Sequence, residues 1–463
     1  FSWQDPATAH VVDSSYEISQ KPNGSPCVKS LAERPFGPNM QAGTINNTAG
    51  SYSPFVMRFT RTDDDQEFSR LDVTLPPGVA AKFAGVGICS DAGISRAENR
   101  TGAGEGVLEQ QDPSCPASSL IGATNVGAGV GVPLTYVPGK VYLAGPYRGA
   151  PMSIVVISPA VVGPFDLGAI TVRSAIRIDP KNAQGSATTD PFPQIVQGIP
   201  VRIRDIRLNL NRRNFTLNPT SCATKQVDAH VTGTGGDLAS TVDDTTTDLR
   251  NRFQAARCAR LRFHPGLAFR LSGATRRGGH PKLRAVVTYP RKGSYANIAK
   301  ASVALPDSEF LAQNHIRTVC TRVQFAAKQC PAGSVYGHAV AKTPLFDAPL
   351  KGPVYLRSSS HRLPDLVARL MGPASQPIEI ELSGRIDSSD GGIRNTFELV
   401  PDAPVSKFIL TMQGSKKGLL ENSRNLCSAT ARATAKFMGQ NGKRLTLHPA
   451  MRNDCGRRGK HGE

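Results

Sequence analysis

Cys115-Pro-Ala-Ser-Ser-Leu-Ile-Gly122 and Cys330-Pro-Ala-Gly-Ser-Val-Tyr-Gly337 are one octapeptide pattern written twice. Each copy has a cysteine upstream (Cys89, Cys320) and a Val-x-Leu-Pro before that (Val73 to Pro76, Val303 to Pro306). Each is followed by Val-Tyr-Leu (Val141 to Leu143, Val354 to Leu356). Landmarks repeated in the same order imply the tandem duplication of one large module, with insertions falling in its loops.

Around these landmarks the chain alternates short apolar runs with turn residues. Tyr52 to Thr60, Phe68 to Leu75, Val141 to Ala144, Ser153 to Ile157, Ala169 to Ile178 and Val201 to Leu210 are strand-like, and so are Leu283 to Tyr289, Ile378 to Ile386 and Phe408 to Met412. Such runs are rich in β-branched and aromatic residues and end in Gly, Pro, Asn or Asp. Ser153 to Ile157 loses strict alternation, which suits a strand covered on both faces. Val79 to Ile88 is expected to form a short helix, Asp91 to Ser114 a polar loop, and Ser308 to Gln329 a segment with helical character. The predicted fold is therefore all-β: two tandem disulfide-stapled β-sandwich modules, Ig-like or Greek-key, with short helical insertions. The expected division is 1–42 as an N-terminal segment (the tail of an earlier module, or a linker), 43–257 as module A, 258–455 as module B and 456–463 as a basic disordered tail.

The nine cysteines follow the repeat. Cys89, Cys115, Cys222 and Cys258 form one set of four; Cys320, Cys330, Cys427 and Cys455 form the other. Sequential pairing within each set is expected, although sequence alone leaves other connectivities open. Even numbers per module in a turn-rich chain point to an oxidising, extracellular or cell-surface location. Zinc is not expected, since no Cys-x-x-Cys occurs and no His stands at ligand spacing beside any pair. Cys27 is left over. Its context parallels that of Cys258, so it is expected to be the last cysteine of a preceding module, unpaired or joined between modules; the alternative is a free thiol in the N-terminal segment.

The 463 residues carry a formal charge of +19, spread along the strands rather than gathered in one block. That excess favours anionic partners: wall polymer, acidic polysaccharide, nucleic acid or lipid headgroups. Its even spread fits arginine used simply as the surface cation, which is the preferred reading; an anionic glycan or wall polymer stays the candidate partner and nucleic acid is not expected. The sequence contains no apolar run of about 18 residues, so no helical membrane span is expected.

Motifs for chemistry are few. Gly127-Ala128-Gly129-Val130-Gly131 lacks the helix and the acidic residue of a dinucleotide loop, and is read as strand and turn. Asp63, Asp64, Asp65 and Glu67, and also Asp243, Asp244 and Asp248, are oxygen-rich but lack the spacing of a calcium loop, and are read as solvated turns. Glu379, Glu381, Asp387 and Asp402 are the acids to weigh for glycoside hydrolysis. They are read as a wet sheet face, because the first-module counterpart, Thr171 to Ile178, has no matching acids. The nine His are scattered, with no His-Glu-x-x-His or Gly-x-Ser-x-Gly. Asn23, Asn46, Asn99 and Asn214 stand in short Asn-x-Ser/Thr sequons. No catalytic residue, cofactor site or metal site is assigned.

Leu-Pro-Pro-Gly-Val-Ala-Ala-Lys-Phe-Ala-Gly-Val (75–86), Tyr-Val-Pro-Gly-Lys-Val-Tyr-Leu-Ala-Gly-Pro-Tyr (136–147), Phe-Thr-Leu-Asn-Pro-Thr-Ser-Cys (215–222) and His-Ile-Arg-Thr-Val-Cys-Thr-Arg-Val-Gln-Phe-Ala-Ala (315–327) resemble large secreted repeat proteins of high-GC soil actinobacteria. The resemblance covers nearly the whole chain. It implies an extracellular multidomain protein with more sequence upstream, and brings no activity with it. The functional expectation is a non-enzymatic structural protein, self-associating as a stalk, sheath or filament subunit. The alternatives are a binding module for anionic polymer and a carbohydrate-active enzyme.

Overall fold

The computed structural model of the chain describes residues 19–20, 24–30, 33–235, 245–290, 293–389 and 392–455. Trp3, Asn23, Asp243, Asp244, Arg291, Lys292 and the basic tail lie outside them.

The first half contains β1 (Asn39–Thr44), β2 (Phe55–Thr60), β3 (Phe68–Thr74), β4 (Ala80–Ala81), β5 (Leu120–Ala128), β6 (Thr135–Ala144), β7 (Met152–Val162) and β8 (Phe165–Ile178). It continues with β9 (Gly185–Thr189), β10 (Ile195–Val196), β11 (Ile199–Pro200), β12 (Ile203–Leu210), β13 (Thr216–Leu217), β14 (Lys225–Gly233) and β15 (Thr246–Phe253). The second half contains β16 (Gly266–Ser272), β17 (Lys282–Thr288), β18 (Ile298–Ala304), β19 (Glu309–Leu311), β20 (Val335–Lys342), β21 (Leu350–Arg357) and β22 (Asp365–Met371). Then come β23 (Glu379–Ser389), β24 (Gly392–Phe397), β25 (Lys407–Met412), β26 (Leu420–Asn422), β27 (Thr434–Gly439), β28 (Arg444–Leu447) and β29 (Met451–Asn453). β1 straddles residue 43, so the first sheet draws on residues ahead of the expected module boundary.

Among the described residues, the first half builds an 11-stranded sheet of order β1-β2-β12-β5-β6-β7-β8-β9-β3-β14-β15. The second builds a 12-stranded sheet that, read from β16, runs β16-β17-β25-β20-β21-β22-β23-β24-β18-β27-β28, with β29 parallel to β16 at the edge. The two orders correspond strand for strand. The satellite pairs β4–β13 and β19–β26 correspond as well.

Each sheet curls over on itself. β28 and β29 lie at opposite ends of the second sheet, which laid flat would be about 50 Å wide at the usual strand spacing. Yet Leu447 and Met451 are four Cα steps apart, no more than about 15 Å. The first sheet closes where Ala49 N–H donates to Ala256 O (2.9 Å) and Ala256 N–H to Asn47 O (2.8 Å). Alternate residues then face inward. Phe55, Phe59, Phe68, Leu71 and Val231 fill the first core, and Phe269, Leu271, Leu356, Leu370 and Met412 belong to the second.

β7 is buried on both faces. Val155 and Ile157 pack with Ile94, Ala97 and the Cys89–Cys115 bridge, whereas Met152, Ile154 and Val156 pack with Phe83, Phe215 and Ile378 of the second half. Its cover is thus a helical insertion on one side and the partner module on the other. At that seam the Phe83 and Phe346 rings stack at 5.8 Å, and Phe83 N–H and Ala84 N–H both donate to Leu345 O at 2.9 Å.

This seam corrects one local expectation. Val79 to Ile88 is not helical: Ala80–Ala81 pairs with Thr216–Leu217, Lys82 N–H donates to Phe215 O, the N–H groups of Phe83 and Ala84 bond across the modules, and Gly85 adopts φ +72°. The segment expected as a loop instead holds α1 (Asp91–Glu98) and α2 (Glu105–Gln111). Ser90 caps α1 by accepting from Gly93 N–H, and Asp166 holds α2 by accepting from Gly106 and Val107 N–H at 2.9 Å. In Ser308 to Gln329 the ordered helix is only α3 (Arg322–Ala326), held by a Thr321–Gln324 capping box, while β19 takes the start of the segment. α1 and α3 each follow the first cysteine of a pair.

Candidate functional site

Cys89 bonds Cys115, Cys222 bonds Cys258, Cys320 bonds Cys330 and Cys427 bonds Cys455, with Cα separations of 5.1, 5.8, 5.2 and 5.7 Å. Cys27 carries a half-buried thiol outside these bridges, and its N–H donates to Ser19 O.

The acidic turn after β2 is solvated only in part: Asp64 is exposed and Asp63 half-buried. Asp65 and Glu67 are buried, and Glu67 pairs with the buried Arg61 and with Arg34. Asp65 accepts from Thr62 N–H (2.7 Å) and Gly37 N–H (3.0 Å), while Arg34 bonds the carbonyls of Asp63, Asp64 and Asp65. Burial first, then the neighbouring Arg34 and Arg204, push the Arg61 guanidinium down to about 10. These acids neutralise arginines. Asp248 bonds His230 (2.8 Å).

The acids weighed for hydrolysis are also distributed. Glu379 accepts from Arg369 (2.6 and 3.0 Å) and from Lys328 (2.8 Å), Asp387 pairs with Arg394, and Asp402 is buried at the seam. Burial and then Glu379 raise Glu381, while Glu379 itself is lowered: burial raises it, but the bonds from Arg369 and Lys328 outweigh that. The carboxylate that would act as base is thus saturated. The residues of this stretch that face a cavity are Ile378, Ile380 and Leu382; of the four acids Asp402 lines it, with its oxygens taken by Thr220, Ser221 and Asn297. His280 and His315, far apart in sequence, stack at 4.0 Å, each with Nδ1 on a backbone carbonyl. Among the described residues no group of three or more His, Cys, Asp or Glu is placed to hold a metal.

The best-formed polar site lies on the outer face of the first sheet. Neighbouring strands β1, β2, β12 and β5 set Gln41, Arg58, Arg207 and Asn125 in one cross-strand row. Val56 and Asn209 stand in the next row, and Asn251 of β15 flanks them across a groove of about 640 Å³. The alternation that turns Met57, Phe59 and Leu208 into the core turns these residues out.

Asp205 anchors this row. It accepts from Arg58 Nε (3.0 Å) and Nη2 (2.9 Å), from Arg207 Nη2 (2.7 Å) and from the Tyr136 hydroxyl (2.8 Å). Burial alone would raise its carboxyl, but these bonds outweigh that and hold it at about 2. The Arg207 guanidinium also lies over the Tyr136 ring at 4.7 Å. Both arginines stay nearly half exposed, so two cations and one carboxylate leave a net positive charge at the groove. Asn209 Oδ1 is buried there without a hydrogen-bond partner.

Such a surface can hold an anionic, hydroxyl-rich chain by bidentate arginine contacts, amide hydrogen bonds and an aromatic face. Register places Val286, Ile409 and Val340 at the second-module positions of Arg58, Arg207 and Asn125. The groove therefore belongs to one copy. Sequence reading missed it because Arg58 and Asp205 are 147 residues apart; the usable signal was polar residues in one copy against aliphatic ones in the other.

No family model matches the chain. No curated protein matches it. Among solved structures it is similar to a putative membrane anchored protein from Corynebacterium diphtheriae, at 10% identity over 90% of this chain and 89% of that one, with a TM-score of 0.19. It is also similar to the collagen adhesin CNA from S. aureus, at 7% identity over 91% and 94% of the two chains, with a TM-score of 0.17. At such scores no residue role passes from either. Among the described residues no helix is long and apolar enough to cross a membrane.

Proposed function

We propose that the chain is a non-enzymatic extracellular or cell-surface structural protein, a subunit of a stalk, sheath or filament. The observation that carries this reading is the seam. Two disulfide-stapled modules of identical strand order share a core through Phe83, Phe215 and Ile378, and Phe83 stacks on Phe346. The two modules pack against each other along this seam, as a load-bearing repeat requires. Four bridges suit an oxidising compartment. Repeats that contact one another head to tail without closing extend into filaments. Electron microscopy of native material tests this: polymers are expected, and isolated particles that remain monomeric at high concentration overturn it.

The groove supports a second reading, binding of an anionic glycan or wall polymer. Retention of the native chain on immobilised polygalacturonate, weakening with salt, is expected. An Arg58→Ala/Arg207→Ala variant retained as strongly as the native chain overturns this site.

A further inference from the structure

The second module encloses a cavity of about 210 Å³. Its wall is hydrocarbon, including Ala285, Val287, Ala301, Val303, Phe408 and Leu410, interrupted only by Tyr289, Asn297 and Asn395, and no charged side chain lines it. Several of these residues keep partial exposure although they face inward.

The first module shows why the space exists. Ala123 and His338 each follow the glycine of the repeated octapeptide. Ala123 pairs with Asn209 and His338 with Thr411, so Leu208 corresponds to Leu410 and Ile206 to Phe408. Across the next ladder Leu208 faces Met57 and Leu410 faces Ala285; Ile206 faces Phe59 and Phe408 faces Val287. The Val-x-Leu-Pro repeat equates Leu71 with Ala301. Val73 pairs with Ala187 and Val303 with Asn395. The second copy therefore carries Ala, Val and Ala where the first carries Met57, Phe59 and Leu71. Phe408 and Phe437 stand across the ladders from Val287 and Ala301, where the first copy has Ile206 and Val231, so the uncompensated loss is Ala285 opposite Leu410. Phe59 is 2% exposed and closes the first interior. The second loses bulk at Ala285 on β17, and at the wall a carboxamide replaces a methyl group.

That carboxamide is the one polar group there with an orphaned atom. The Tyr289 hydroxyl donates to Ala296 O (3.0 Å) and the Asn297 amide to Asp402 (2.9 Å). Asn395 Oδ1 is buried and has no partner. A buried polar atom left unpaired costs stability, and a ligand hydroxyl would satisfy it.

We propose that this cavity binds a small neutral hydrocarbon molecule bearing one hydroxyl, held by apolar contact and by a hydrogen bond to the Asn395 side chain. An apolar cavity of about 150 Å³ is known to take benzene, so this one suits a body of about six to eight carbons. An ionised carboxylate is disfavoured, because no cation in the wall offsets its desolvation.

The test titrates the full native chain with 1-octanol and, at pH 8, with octanoate, by calorimetry. Saturable one-to-one binding of octanol is expected, with octanoate much weaker. Ala285→Met restores the first-module residue, opposite a leucine as in the first module; this variant should melt no lower than the native chain and bind octanol much more weakly. Failure of the native chain to bind octanol, or equal binding by the filled variant, overturns the proposal. Octanoate binding as tightly as octanol overturns the neutral-ligand assignment. Should the filled variant not fold, Asn395→Ala decides, since alanine stands at the equivalent position 187: about fivefold weaker octanol binding is expected, and unchanged affinity overturns the proposal.

Discussion

The Thr220 hydroxyl of the first module donates to the Asp402 carboxylate of the second at 2.6 Å. Thr220 N–H (2.8 Å), Ser221 N–H (3.1 Å) and the Asn297 side-chain amide (2.9 Å) converge on the same carboxylate. Asp402 is thus a clasp with donors from both modules, buried where one strand-end loop meets the other. Asp402→Ala leaves these donors without their charged acceptor and is expected to cost about 3 kcal/mol. Denaturant unfolding checks this. The variant should unfold at lower denaturant and split into two transitions as the modules uncouple; a single transition at the native midpoint contradicts the clasp.

Asp205 ties two arginines to the groove floor and is held at about 2. A lowered carboxyl contributes stability that is present above its unfolded value, near 4, and disappears as pH falls through about 2. The contribution is about 2 kcal/mol. Asp205→Asn should therefore be less stable than the native chain at pH 7 by about that amount, with the difference closing by pH 2. Urea unfolding at both pH values measures it, and a pH-independent gap contradicts the assignment.

The architecture was legible where a repeat or a strict alternation marked it. The octapeptide copies flank β5 and β20, which hold the same place in the two sheets, and Phe68 to Leu75 shows its period-two pattern as β3. α1 was not legible, because Gly93 and the nearby glycines at 102, 104 and 106 weaken its helical signal. Ser90, which caps it, is followed by Asp91, an N-terminal pairing that the loop reading passes over. The acids after β2 misled for another reason. Composition suggests a wet turn, and only the fold brings Arg34 and Arg61 onto them. The cavity escaped because alternation reports which face a side chain takes, not whether it fills the space. Setting Phe55-x-Met57-x-Phe59 beside Leu283-x-Ala285-x-Val287 exposes it.

Glu67 is the counter-charge of the buried Arg61, which already sits close to Arg34 and Arg204. Breaking a buried pair from one side strands the remaining charge. Glu67→Ala should cost about 3–5 kcal/mol, well beyond a surface ion pair. Thermal and urea unfolding read the loss, and a change below the surface-pair range contradicts the burial.

The Cys222–Cys258 bridge closes the longest of the four loops, at a separation of 36, and Cys258 packs with Phe263, Ala296 and Phe437 of the second module. Cross-linking a loop of this length restricts the unfolded chain by about 4 kcal/mol, against about 3 kcal/mol for the ten-residue separation of Cys320–Cys330. Replacing Cys222 and Cys258 together by Ser should therefore lower stability more than the same change at Cys320 and Cys330. Equilibrium unfolding of the two variants gives the order, and a reversed order contradicts the loop-length account.

Glu309 is fully buried in β19, with Ser308 Oγ donating to Oε2 at 2.8 Å and Oε1 unpartnered. Burial raises its carboxyl to about 7; the Ser308 bond and Arg424 pull it down, and Asp307 pushes it up. Below about pH 4.5 the residue is protonated in both folded and unfolded chains and carries no penalty. Between about 4.5 and 7 the unfolded chain ionises first, so stability falls as pH rises, by about 3 kcal/mol in all. Glu309→Gln removes that titration. It should match the native chain at pH 4 and exceed it by about 3 kcal/mol at pH 8. Parallel stability curves for the two chains across that range would mean that Glu309 is already ionised in the folded protein.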